Sequence, residues 1–169
     1  MKVIIAGGRD YVFDALDFEM LNQLHDRLRF TAVVSGGAGR RDRGTTEVLA
    51  GADLFGEVWA ARNLLVVDRF YVTKEDWARL GPRAGPLRNK AMAEHVARAG
   101  GCAVLFPGGK GTESMRLEAW HAKIPFLVRD KGYGWTWICA SRRNLKSVAA
   151  SVPLRVKVES IGTINIRMR

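Results

Sequence analysis

The chain is poor in metal ligands and in groups that could staple it. It holds two cysteines, Cys102 and Cys139, with no CxxC spacing, and three histidines, His25, His95 and His121, that stand apart from one another. That pattern excludes a zinc ribbon or finger and a disulfide framework, so no metal is expected and each histidine reads as a surface or packing residue. Two lone thiols suit a reducing compartment, which predicts a cytoplasmic setting. Long hydrophobic runs are missing as well. Nothing nears the ~18 apolar residues of a membrane span, and Val3-Ile4-Ile5-Ala6 is too short for the core of a signal peptide. No membrane partner is expected.

Standard nucleotide and hydrolase signatures are also absent. Gly37-Ala38-Gly39-Arg40-Arg41-Asp42 fails GxGxxG at its last position, and residues 39–46 place Thr45 where a GxxxxGK[ST] loop needs lysine. With no GxSxG elbow either, a dinucleotide fingerprint, a P-loop NTPase and an α/β-hydrolase are excluded.

Acidic residues are few. Seventeen face 27 lysines and arginines, a net charge of +10 that fits an anionic partner. The excess is concentrated at the end of the chain. Residues 140–169 carry Arg142, Arg143, Lys146, Arg155, Lys157, Arg167 and Arg169 against Glu159 alone, which is six of the ten net charges. Single-stranded nucleic acid bound through this basic tail is therefore one expectation, with Tyr133, Trp135 and Trp137 available to stack on bases. The same aromatics equally serve to seal the end of a sheet.

What is present is an alternation of apolar runs with amphipathic segments. Residues 2–6 are a β-branched run closed by Gly7-Gly8-Arg9-Asp10, after which Phe13, Leu16, Met20, Leu21, Leu24 and Leu28 recur at helical spacing. Residues 31–35 predict a second strand, 54–61 a helix, 64–67 a third strand, 102–106 a fourth and 124–128 a fifth. The helix between the last two, at 112–122, carries Met115, Leu117, Ala119 and Trp120. Ala84-Gly85-Pro86 breaks the chain before a helix at 87–99 whose Leu87, Ala91, Met92, His95 and Val96 share a face, and Pro86 suits a first helical turn. The polar stretch after Ala38 reads as a mobile excursion.

Strands and helices alternating over short connections predict an α/β fold: a Rossmann-like, doubly wound parallel sheet of about five strands. Beyond residue 150 the pattern changes. Leu154, Val156 and Val158 alternate with Arg155, Lys157 and Glu159, and Ile164, Ile166 and Met168 with Asn165, Arg167 and Arg169. Residues 1–150 therefore read as one Rossmann-like domain. Residues 151–169 read as a basic C-terminal β-hairpin, packed on that domain or used in a homo-oligomer contact.

In an open parallel sheet, ligands bind beyond the carboxyl ends of the strands. Here those ends carry Gly7-Gly8-Arg9-Asp10, Ser35-Gly36-Gly37 and Pro107-Gly108-Gly109-Lys110-Gly111-Thr112, with Gly85-Pro86-Leu87-Arg88-Asn89 at a helix start. In the third of these, Gly108, Gly109 and Gly111 allow positive φ and close backbone approach, Lys110 adds a charge, and Thr112 can cap the next helix, which together predict a phosphate cradle. Gly36-Gly37 would form a second wall. Arg88, read as lying in a first helical turn, opposes the helix dipole there and is assigned to an anion, while Arg9, Asp10 and Asn89 are assigned to sugar or base. The expected ligand is a nucleotide or a nucleotide-derived signal, with no other cofactor assigned. Were the ligand turned over, cleavage of its N-glycosidic bond would need a carboxylate near an oxocarbenium-like centre, and Glu113, Asp10 and Glu118 are the candidates. Trp77 reads as a packing residue.

With these motifs and Asp76-Trp77, residues 1–129 resemble the YspA-like family of the SLOG superfamily, which also holds the DNA-processing DprA/Smf proteins and the Lonely Guy (LOG) phosphoribohydrolases. The pairing of GPxRN with PGGxGT carries the resemblance. It implies a Rossmann-like fold that binds nucleotides or ligands derived from them. The family's Ser-Gly-Gly-Ala and Arg-Gly-Ala-Asp elements are split here into Ser35-Gly36-Gly37-Ala38 and Gly51-Ala52-Asp53, so residues 39–50 read as an insertion. Arg88 and Met92 resemble the arginine and methionine of the LOG helix motif. Ser114 and Met115 stand where the LOG hydrolases have glutamates, so the resemblance supports binding more than chemistry.

Overall fold

Val3, Ile4 and Ile5 have no exposed surface at all, although adjacent residues in a strand point to opposite faces. Both faces of β1 (Lys2–Ala6) must then be covered, which is the signature of a parallel sheet inside an α/β layer fold. The computed structural model describes residues 1–132, 134–139, 156–158 and 163–166. After β1 come α1 (Ala15–Leu28), β2 (Ala32–Ser35), a small hairpin of β3 (Arg40–Arg41) and β4 (Val48–Ala50), α2 (Ala52–Arg62) and β5 (Val66–Arg69). The chain continues through α3 (Lys74–Leu80), a 3-10 turn (Gly81–Arg83), α4 (Ala84–Arg98), β6 (Cys102–Leu105), α5 (Lys110–His121) and β7 (Phe126–Arg129). Three antiparallel strands follow, β8 (Trp135–Ile138), β9 (Val156–Val158) and β10 (Thr163–Ile166).

The main sheet runs β5-β2-β1-β6-β7-β8-β10-β9, its first five strands parallel. This is a Rossmann-like α/β fold. Val3, Ile5, Cys102, Val104 and Leu127 pack on one face with Met20, Leu21 and Leu24 of α1 and Trp59 and Ala60 of α2. Ile4, Ala6, Ala103, Leu105 and Phe126 pack on the other with Met92, Ala93 and Val96 of α4 and Met115 and Ala119 of α5. α1 starts at a capping box, in which Asp14 Oδ1 accepts from Asp17 N (2.9 Å) and Asp17 Oδ2 from Asp14 N (3.1 Å). Both carboxylates also hold Arg129 at the end of β7, at 2.7 Å from Asp14 and 2.8 Å from Asp17. This largely buried cluster ties the start of α1 to the end of β7.

Several expectations shift. The third strand lies at Val66–Arg69 rather than 64–67, because Leu64 sits in a turn with φ 55° and is 93% exposed. The fifth strand is Phe126–Arg129. The stretch after Ala38 is an ordered hairpin whose turn is closed by Asp42 Oδ1 accepting from Gly44 N and Thr45 N, at 2.9 and 2.8 Å. Helix α4 begins three residues before Leu87, since Pro86 falls in its first turn where no N–H is needed; Leu87 faces solvent at 44% exposure. β8 was not expected. Its Trp135 and Trp137 are 1% and 0% exposed, so they seal the sheet and cannot stack on a base, while Tyr133 lies outside the described residues. The terminal hairpin is present as β9 and β10, joined to the main sheet through β8. The basic face expected on it, with Arg155, Lys157, Arg167 and Arg169, falls outside the described side chains, as do Arg142, Arg143 and Lys146 before it. Among the described residues, no helix is long and apolar enough to cross a membrane.

Candidate functional site

The strand order reverses between β1 and β6, and beyond their carboxyl ends lies a cavity of about 550 Å³. That volume is within the range of small-molecule sites, and the switch point is where open α/β sheets bind ligands. Gly7, Gly8 and Arg9 line it from the β1 loop, Gly109, Lys110, Gly111 and Thr112 from the start of α5, and Arg88 and Asn89 from α4. Ala38, Asp53, Trp77, Pro82, Gly85, Pro86, Met92, Ser114 and Met115 complete the wall.

The two glycine loops cross closely. Gly8 N donates to Pro107 O at 2.9 Å, and a Cβ on Gly108 would come within 2.6 Å of Gly8 N. None of Gly108, Gly109 and Gly111 has positive φ, so their glycine identity is not conformational. Gly108 permits the crossing, whereas a Cβ on Gly109 or Gly111 would meet nothing within 4 Å. Glycine at those two positions leaves room in the cavity. Thr112 does not cap α5: the cap is Gly109, and Thr112 is the third helical residue, its buried hydroxyl without a partner. The first-turn N–H groups at Lys110 and Gly111 are left without intrahelical acceptors by helix geometry, and they sit at the cavity with the positive end of the helix dipole.

Arg88 lies one turn inside α4 rather than in its first turn, so the dipole argument for it does not hold. Its position is explained by hydrogen bonds. Nη1 donates to Gly36 O (2.7 Å) and Nε to Asn89 Oδ1 (3.0 Å), and Nη2 makes no hydrogen bond among the described residues. Burial lowers the guanidinium pKa, Asp53 opposes that shift and Arg9 adds to it. Asn89 is 4% exposed, and its Nδ2 donates to Gly111 O and Ser114 Oγ, both at 3.2 Å. Its amide N–H groups therefore clamp α4 to the head of α5, while the residue also lines the cavity.

Asp53 is the carboxylate that the sequence reading did not single out as a site residue. Close docking of α2 under the β1 loop delivers it: Ala52 N donates to Gly8 O at 3.2 Å, and a Cβ on Gly7 would stand 2.7 Å from Ala52 Cβ. Asp53 Oδ2 accepts from Ala38 N at 3.2 Å. Burial pushes its carboxyl up to about 6, against the lowering effect of the Ala38, Gly7 and Gly36 backbone N–H groups and of Arg88. The signal for it was the acid of Gly51-Ala52-Asp53 at a helix start.

The remaining expected residues lie around the cavity rather than on it. Ser35 is fully buried, donating to Glu57 Oε1 (2.8 Å) and accepting from Gly37 N (3.0 Å), so it braces the β2 turn. Gly36 packs on the Arg88 guanidinium, and Gly37 takes φ 68° beneath the Tyr71 ring. Asp10 is exposed and paired with Arg40 at 3.3 Å. Pro107, Gly108 and Glu113 border a separate hollow of about 270 Å³, and Glu113 pairs with Arg116 at 3.6 Å. None of the three proposed acids, Glu113, Asp10 and Glu118, lines the main cavity, and Asp53 is the one carboxylate among the described residues that does.

Trp77 is not a packing residue. It is 47% exposed and borders the cavity. Cys102 and Cys139 are free and buried, with burial pushing their thiols up to about 12 and about 11, so neither serves as a nucleophile. His95 contacts Asp68 Oδ2 at 2.9 Å and His25 stacks on Phe30, and no cluster of metal-binding side chains occurs among the described residues. No protein-family model, curated protein or solved structure matches the chain.

Proposed function

We propose that the chain binds a nucleotide or nucleotide-derived ligand in the switch-point cavity, as a sensor or sequestering protein. The observation that carries this reading is the joint presence, on one cavity, of Arg9, Arg88, Lys110 and the head of α5. An anion would meet two guanidiniums, an ammonium and unpaired backbone N–H groups there. The resemblance to the YspA-like family belongs to the same reading, because its GPxRN and PGGxGT residues supply most of that cationic wall. Two buried free thiols fit the cytoplasm as the place of action.

A thermal-shift panel of mono-, di- and cyclic nucleotides tests the proposal. At a hundred times Kd, one ligand adds about 2.7 kcal/mol, or roughly 5–10 °C for a domain of this size. No shift from any member at saturating concentration would sink it.

Cleavage of an N-glycosidic bond is the second reading, and Asp53 is the observation that favours it, a carboxylate in the cavity with a raised pKa. Its Oδ2 is already engaged by Ala38 N, which suits holding the loop more than attack on a sugar. Release of free base from a bound nucleoside monophosphate, abolished by Asp53→Asn, would promote this reading over simple binding. Nucleic-acid binding and self-association through the basic tail are separate proposals. They are tested by the salt dependence of binding and by native mass with and without residues 152–169.

A further inference from the structure

We infer that Trp77 is a stacking platform for a planar ring of the ligand, so that the cavity selects an anion joined to an aromatic base over the sugar phosphate alone. This rests on the nucleotide-binding reading and names the residue that would set its specificity.

Nothing in the folding of α3 requires an indole at this place. The helix buries no residue. Its start is fixed by a capping box between Thr73 and Asp76, at 3.0 and 3.3 Å, and Arg79 pairs with Asp76 at 3.2 Å. Its end is fixed by Gly81, with φ 55° and its N–H donating to Trp77 O. Local polar contacts therefore hold the helix, while a side chain that gains more than any other from burial stays half exposed. Trp59, Trp135 and Trp137, by contrast, are at most 1% exposed.

The exposed indole lines the cavity, as do Pro82, Pro86, Met92 and Met115. The lining thus combines apolar and aromatic side chains with the cations Arg9, Arg88 and Lys110. A ligand complementary to both carries a flat ring and an anionic group, and stacking of a base on an aromatic side chain is worth about 1–3 kcal/mol by alanine substitution.

The experiment measures binding of AMP and of ribose 5-phosphate to the full chain, to Trp77→Ala and to Trp77→Phe. Trp77→Ala is expected to weaken AMP about 5- to 150-fold, the conversion of that stacking range, and to leave ribose 5-phosphate unchanged. Trp77→Phe should retain most of the AMP affinity but lose the quenching of tryptophan fluorescence that AMP causes in the parent, a readout independent of any folding defect in the alanine variant. Unchanged AMP affinity in Trp77→Ala, or a parallel loss of AMP and ribose 5-phosphate, overturns the stacking role and leaves the nucleotide reading standing. Absence of AMP binding in the parent overturns the Trp77 inference, and the nucleotide reading falls with it when every other member of the thermal-shift panel also fails to bind.

Discussion

Replacing Asp53 with asparagine tests whether burial governs the cavity. The side chain is 3% exposed and its carboxyl is pushed from 3.8 up to about 6, chiefly by loss of solvation. The folded state therefore holds this proton more tightly than the unfolded chain does. Its contribution is fully present below the unfolded value and is lost as pH rises through the folded one, so ionised Asp53 costs about 3 kcal/mol at alkaline pH. About 2 kcal/mol of that loss should fall between roughly pH 4.5 and pH 8. In Asp53→Asn the amide oxygen can still accept from Ala38 N, and nothing titrates.

Urea unfolding at those two pH values gives the answer as a difference. The stability of the variant minus that of the parent should rise by about 2 kcal/mol from the acidic to the alkaline condition. Arg88→Gln supplies an internal check, because Arg88 lowers the Asp53 carboxyl and its removal should move the transition to higher pH. If Asp53→Asn instead destabilises the protein equally at both pH values, Asp53 works as a permanently charged partner of Arg88 and the desolvation argument is wrong.

Two further substitutions probe separate parts of the frame. In Gly36→Ala the new methyl group would fall on Arg88 Nη1 and within 2.9 Å of Asp53 Oδ2. The obstacle is the far end of a long side chain, so the guanidinium should leave Gly36 O while the fold survives. Nucleotide affinity should drop at least about tenfold, as expected for loss of a charge-assisted bond, with a melting temperature close to the parent's; a full-affinity variant would remove Arg88 from the site. Arg129→Met should destabilise the chain by about 3–5 kcal/mol, because it leaves the fully buried Asp17 without its cation. Denaturant unfolding reads this directly, and a change below about 1 kcal/mol would show that Asp17 is neutral in the folded state.

The sheet was legible because every central strand is covered twice. Continuous runs such as Val3-Ile4-Ile5 and Ala103-Val104-Leu105 have no other use in a chain of this size. Boundaries failed where an apolar residue does a turn's work, as at Leu64, or where Ala84 and Gly85 look like a break but open the helix, with Pro86 in its first turn as expected. β8 went unread because an alternating Trp-Thr-Trp-Ile strand resembles an aromatic cluster among glycines until its pairing with β7 is known.

Within the site, the loops were legible and the division of labour was not. Glycine and basic residues at strand ends stand out in the sequence, but spacing does not reveal which polar groups are already occupied by the protein itself. Ser35 braces the β2 turn, Asn89 ties α4 to α5, and Asp10 and Glu113 are paired outside the cavity with Arg40 and Arg116. Asp53 and Trp77 carried weak local signals, a lone acid at a helix start and a lone aromatic in a polar helix, and tertiary placement alone brings them to the cavity. The loop ending in Thr112 changes meaning for the same reason. It neither needs positive φ nor uses its threonine as a cap; its glycines let two loops cross and then leave space, so the phosphate reading rests on an open helix head shared with Arg9 and Arg88 rather than on the loop by itself.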